Sequence, residues 1–242
     1  MKKINLQLWS IKEDTAADFE GTLEKVAKIG YSGVEFAGFG NISAQRMKTI
    51  LSNNGLEGIS AHVGVDQLNN ELDNLLEYLN TIGSKFIVCP FAHIRSIESA
   101  LTYAESFNRI GEKCKATGIT FGYHNHEHEF TLDNGKYPMN VLFENVEPGK
   151  VIMEPDLYWV AYAGIDPMEY IVANKDICPI IHLKQIENME TKANVDAQDG
   201  IIDFNKVMSI CNTAVFVYEQ EEFKGTPMDS VTRSARYFNT NS

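Results

Sequence analysis

A short apolar run followed by an amphipathic helix recurs eight times along this chain, and no other feature limits its fold so severely. The apolar runs are residues 4–9, 33–36, 58–63, 86–89, 119–123, 151–153, 180–183 and 214–218. Between and after them the spacing predicts helices over 17–29, 43–53, 69–82, 97–117, 139–145, from 166 onward, over 203–211 and over 228–238. Ser43 and Asp166-Pro167 stand where a helix begins, and Gly30 and Gly83 where one must end in a left-handed residue. Leu72, Leu75, Leu76 and Leu79 form the apolar stripe of the third helix. Strict alternation means parallel strands joined by right-handed crossovers. Eight units in 242 residues suit a closed barrel, which needs about 250. The expected fold is α/β, a single (β/α)8 TIM-barrel domain over residues 1–242. An open doubly wound sheet is the alternative, but no Gly-x-Gly-x-x-Gly follows any strand.

Charge and cysteine usage narrow the function classes. A formal net charge of −12 argues against DNA or RNA as partner, because phosphate binding needs a basic surface. No apolar stretch approaches the ~20 residues of a membrane helix, so no membrane partner is expected. The N-terminus enters its first strand without a signal-peptide core, which points to the cytoplasm; a leader missing from the sequence would redirect the chain to the periplasm. Cys89, Cys114, Cys178 and Cys211 lack Cys-x-x-Cys spacing and read as buried free thiols, not as a disulfide framework or zinc knuckle. A homo-oligomer stays open.

The chemistry gathers where strands end. The run Ile119 to Tyr123 stops abruptly in His124, Asn125, His126, Glu127, His128 and Glu129. His124 and His126 share parity, so on a strand both face one side. His128 reads as a solvated loop residue. Barrel active sites lie at the C-terminal ends of the strands. Those ends carry Glu35, His62, His124, His126, Glu154, Asp156, His182, Lys184, Glu219 and Glu221. An oxygen- and imidazole-rich mouth without thiolates suits a divalent manganese, magnesium, cobalt or zinc ion. Asp156, His182 and Glu219 come from three consecutive strands and would leave positions open for two substrate oxygens. The plainer reading is a network of salt bridges at the rim. Trp9, Tyr158, Trp159 and Phe36 also fall at strand ends, where an aromatic face can meet the C–H face of a sugar; taken singly, each is more often core.

Several motifs together resemble the xylose-isomerase-like TIM barrels of the sugar phosphate isomerase/epimerase family. They are Gly30-Tyr31-Ser32-Gly33-Val34-Glu35, Tyr123-His124-Asn125-His126 with Glu129-Phe130, and Glu154-Pro155-Asp156-Leu157-Tyr158-Trp159-Val160 followed by Ala163-Gly164-Ile165-Asp166-Pro167. His182-Leu183-Lys184, Gly200-Ile201-Ile202-Asp203-Phe204 and Tyr218-Glu219-Gln220 complete the set, which covers nearly the whole chain. The resemblance implies a metal held by a Glu, an Asp, a His and a Glu on strands five to eight. The last three fall on Asp156, His182 and Glu219, while His124 stands at the fifth-strand glutamate position. Either His124 ligates and another group is the base, or Glu154 moves in as ligand. Two smaller departures are Gln185, where an Asp is usual, and Gln198-Asp199-Gly200, where relatives often read Gly-Glu-Gly.

The expected activity is that of a metal-dependent isomerase or epimerase, abstracting a proton next to a carbonyl of a sugar, keto-sugar or cyclitol. Glu219 or Glu154 is the candidate base, His126 the second acid/base, and Lys184 the support for a developing oxyanion. Glu35, His62, Trp9 and Trp159 would bind substrate. Absence of an evident phosphate cradle favours an unphosphorylated substrate. Loss of water or an aglycone from a keto-sugar or inosose begins with the same deprotonation and is the alternative. Two rivals remain, an abasic-site endonuclease and a non-catalytic sugar-binding barrel. Net charge and Trp159, standing where a metal histidine would be needed, count against the first.

Overall fold

In the computed structural model, which describes residues 2–241, the alternation becomes a ring of parallel strands wrapped by helices. The strands are β1 Ile4–Gln7, β2 Gly33–Phe36, β3 Glu57–Ala61, β4 Phe86–Cys89, β5 Thr120–His124, β6 Val151–Glu154, β7 Ile180–Leu183, β8 Gln185–Ile186, β9 Asn194–Val195 and β10 Val215–Tyr218. The helices are α1 Lys12–Ala17, α2 Phe19–Ile29, α3 Ala44–Asn54, α4 Val65–Asn70, α5 Leu72–Ile82, α6 Ile97–Ala116, α7 Pro138–Asn145, α8 Leu157–Tyr162, α9 Pro167–Asn174, α10 Phe204–Ile210 and α11 Pro227–Asn241. Parallel pairing runs β3-β2-β1-β10-β7 in one sheet and β4-β5-β6 in another. Single parallel bridges join the sheets at both seams, His62 with Val88 and Asp156 with His182. The backbone bonds there are Val63 N to Val88 O at 2.9 Å and His182 N to Pro155 O at 3.0 Å. The eight barrel strands thus follow one another around a TIM barrel, while β8 and β9 form a small antiparallel hairpin outside it.

Strand parity explains why the mouth is polar. Ile59, Ile180 and Val217 form a small apolar cluster, with Ile152 packed against it, apart from the large core between strands and helices. Two residues further along the same strands stand Glu154, His182 and Glu219. Because alternate residues share a face, the faces that begin apolar end in carboxylates and imidazole. β1, β2 and β7 are buried at every residue, as expected of strands covered on both sides. α11 closes the chain over the first units: Val231, Ala235 and Phe238 are buried, and Tyr31 donates its hydroxyl to Val231 O at 2.8 Å.

Several boundaries differ from the sequence reading for local reasons. β1 stops at Gln7 rather than Trp9, because the Gln7 side chain accepts from Trp9 N at 3.0 Å and starts a tight turn over Leu8–Ile11. The helix expected over 17–29 starts earlier and breaks at Asp18, whose carboxylate caps α2 through Gly21 N. The helix expected over 69–82 is preceded by a separate turn of helix, α4, and the two part at Glu71. Residues 157–162 are helical, so Trp159 sits on α8, not at a strand end. Phe36 is core. Among the described residues the four cysteines are free and buried, as expected, and no helix is long and apolar enough to cross a membrane.

Candidate active site

Asp156 is the hinge of the site. It follows β6, bridges to His182 on β7 and caps α8, its Oδ1 accepting from Tyr158 N at 2.9 Å and Trp159 N at 3.3 Å. Capping leaves Oδ2 buried and, among the described residues, without a hydrogen-bond partner. Its neighbours are His124 Nε2 at 3.7 Å and Lys184 Nζ at 3.8 Å. His182 Nδ1 lies 3.4 Å from Glu219 Oε2, which also receives Lys184 Nζ at 3.4 Å. One donor atom from each of His124, Asp156, His182 and Glu219 falls within 4.8 Å of the others. The structure therefore brings together the four side chains that sequence reasoning put forward as ligands.

Two further carboxylates occupy the remaining imidazole nitrogens. Glu154 Oε2 lies 2.7 Å from His62 Nε2, 3.2 Å from His124 Nδ1 and 3.5 Å from His182 Nε2. Glu35 Oε2 lies 2.6 Å from His182 Nε2 and accepts from Gln7 Nε2 at 2.7 Å. A second, overlapping donor set consists of His62, His124, Glu154 and His182. Glu35 and Glu154 are fully buried. Glu35 Oε2 thus faces His62, His182 and Gln7, while its Oε1 is buried and, among the described residues, without a hydrogen-bond partner.

The electrostatics follow from this crowding. Burial opposes ionisation of Glu219, and Lys184 and His182 outweigh it, so its pKa falls well below the usual carboxylate range. Burial likewise opposes the charge on Lys184, but Glu219, Asp156 and Glu221 hold it protonated. Burial raises Asp156 to about 7 despite Lys184. Burial and the adjacent Glu35 raise Glu154 to about 7. Burial works against protonation of His182, yet Glu154 and Glu35 raise it well above the ordinary value. His124 is pushed well down by burial and by His182 and His62. His126 is held down at about 3 by burial and Lys184, so it is a neutral ring at physiological pH, not the near-neutral titrating group expected from sequence.

Above this floor opens a cavity of about 460 Å3, walled in part by Trp9, His62, Phe91, His126, Glu219 and Glu221. His126 packs against Trp159 with ring centres 5.2 Å apart, and Lys184 Nζ lies 4.9 Å from the same indole. Trp159 thus supports the site from behind, while Trp9, half-exposed, lines it. His128, expected in solvent, is buried with Nε2 2.9 Å from Ala92 O. Glu129 beside it is buried too and accepts from the Tyr123 hydroxyl and from His126 N. Sequence reasoning missed Gln7 and Phe91. The only signal for Gln7 was an amide at the end of a short strand that already carries Asn5; Phe91 follows a proline and gave none.

Comparison with known proteins agrees with this architecture. No curated protein sequence matches the chain. Among solved structures, a sugar phosphate isomerase/epimerase from Parabacteroides distasonis superposes with a TM-score of 0.84 at 24% identity, covering 99% of this chain and 98% of that one. The probable 3-DHS dehydratase involved in petrobactin synthesis in Bacillus anthracis gives 0.77 at 14% identity, covering 100% of each chain. The 3-keto-D-glucoside 4-epimerase of E. coli gives 0.71 at 16% identity, covering 99% of this chain and 100% of that one. At these identities the likeness is one of fold. The model of the xylose isomerase-like TIM barrel matches residues 23–223, which span all but the first barrel strand, and the chain belongs to that family.

Proposed function

We propose that this protein is a divalent-metal-dependent sugar isomerase or epimerase that removes a proton next to a carbonyl of an unphosphorylated sugar, keto-sugar or cyclitol. The observation that carries the reading is the convergence of one donor atom from each of His124, Asp156, His182 and Glu219 within 4.8 Å, with Asp156 Oδ2, among the described residues, lacking a hydrogen bond. A buried polar atom of this kind is costly unless something pairs with it. Nitrogen and oxygen donors without thiolate suit a hard or borderline ion, so the residues fit the group that the fold family implies. His124, Asp156, His182 and Glu219 would hold it. When bound, the ion would polarise the substrate carbonyl and offset the negative charge that develops there.

The chain's own residues do the rest. Glu219 and Glu154 are the candidate bases: Glu219 lines the cavity but is held well below the usual carboxylate range by Lys184 and His182, whereas Glu154, raised to about 7, is fully buried. Lys184 is as buried as Glu154; held protonated, it supports the negative charge of Glu219 and Glu221, which do line the cavity. His126, neutral and fixed through its backbone by Glu129, orients a hydroxyl. Glu35 and Glu154 hold the rear nitrogens of His182 and His124 and so fix which nitrogen faces forward.

Metal analysis combined with a keto-sugar panel run in deuterated water tests the proposal. Deuterium should appear at a substrate carbon, turnover should cease on chelation, and His182→Ala should lower it by about 100-fold or more. Full conversion after metal removal would defeat the reading.

A further inference from the structure

The cavity does not end at the reacting centre. Trp9 and Glu221 line it and also line a second groove of about 450 Å3, bounded on its far side by Lys12, Asp14 and Phe223. The indole therefore belongs to the walls of both spaces. Its prominence comes from the early end of β1: the turn at Leu8–Ile11 lifts Trp9 out of the barrel and leaves it 45% exposed. A half-exposed indole at a mouth offers an apolar surface for something to cover.

The chemistry of the outer groove limits what that something is. Glu13, Asp14 and Glu221 set three carboxylates against the single ammonium of Lys12, so a phosphate or carboxylate is repelled. A cation gains little, because Lys12 Nζ already stands 4.0 Å from the centre of the Trp9 ring. A neutral unit with apolar C–H faces and hydroxyls at its edge fits both the indole and the surrounding polar groups. Glu221 ties the spaces together: it receives Lys184 Nζ at 2.7 Å on the inner side and lines the groove on the outer.

We propose that the outer groove is a second sugar subsite, so that the substrate is a neutral disaccharide or glycoside. Its reacting unit occupies the inner cavity and its second unit lies across Trp9. This inference rests on the functional reading above and deepens it, since binding of a remote unit supplies energy that positions the reacting one.

The test uses the metal-supplemented protein with glucose, maltose, cellobiose, trehalose and glucose 6-phosphate, read by saturation-transfer NMR and calorimetry. At least one disaccharide should bind roughly tenfold or more tighter than glucose, and glucose 6-phosphate should bind no tighter than glucose. In Phe223→Ala the preference for disaccharide over glucose should collapse, with unchanged thermal melting showing that the fold survives. Glucose binding without any gain for a disaccharide overturns the second subsite alone. Tighter binding of glucose 6-phosphate overturns the neutral-ligand assignment. Failure of all five sugars to bind overturns the subsite and the sugar-active reading together.

Discussion

At the scale of single residues, the account turns on what each buried polar group faces. Asp156 is the sharpest case, because capping α8 uses one carboxylate oxygen and strands the other. Asp156→Asn keeps a capping oxygen but puts an amide nitrogen where Oδ2 stood, so it removes a ligand without removing the buried polar atom. Manganese should therefore raise the melting temperature of the wild type and raise that of the variant much less; thermal melts with and without the ion read the difference. The cysteines give a second prediction. Burial pushes the Cys89 and Cys114 thiols up to about 12 and raises Cys178 and Cys211, so almost no thiolate is present at pH 8. Native protein should resist iodoacetamide for hours, whereas denatured protein should take up four equivalents, as mass spectrometry would show. Much of the site was legible at this scale, because His124, Asp156, His182 and Glu219 break apolar runs at strand ends. What was not legible was direction. Glu35 looks like any mouth carboxylate in the sequence, and only the structure shows its Oε2 held by His182 and Gln7.

At the scale of elements, periodicity located the barrel strands, since strands buried on both faces leave uninterrupted apolar runs. It failed where a side chain redirects the backbone. Gln7 ends β1 two residues early, Asp18 splits the first helix, and Asp156 starts α8 within what read as a continuing strand. The β8–β9 hairpin, with two residues per strand, was too short to leave any pattern. Packing can also reverse a propensity rule. Gly111 lies inside α6, where alanine would ordinarily gain about 1 kcal/mol. A Cβ there would come within 2.2 Å of the Lys150 carbonyl oxygen, part of the rigid turn before β6. Gly111→Ala should therefore destabilise by about 1–3 kcal/mol, as overpacking does, measured by urea unfolding. A stabilised variant would show that α6 does not seat against that turn as described.

At the scale of the whole molecule, the barrel is two sheets joined at two seams, each by a single bridge. The seam between β6 and β7 is the bridge of Asp156 with His182, two of the four proposed ligands. An ion there would clamp the barrel at one of its two single-bridge joins as well as serve the chemistry, and a ligand bound only by the folded state stabilises it by mass action. Side chains far apart in sequence are proposed to share one cation. Crystals grown with manganese and measured at its absorption edge should show a strong anomalous peak within coordinating distance of His124, Asp156, His182 and Glu219. A map with no peak there, or with the ion held elsewhere by other residues, would contradict it.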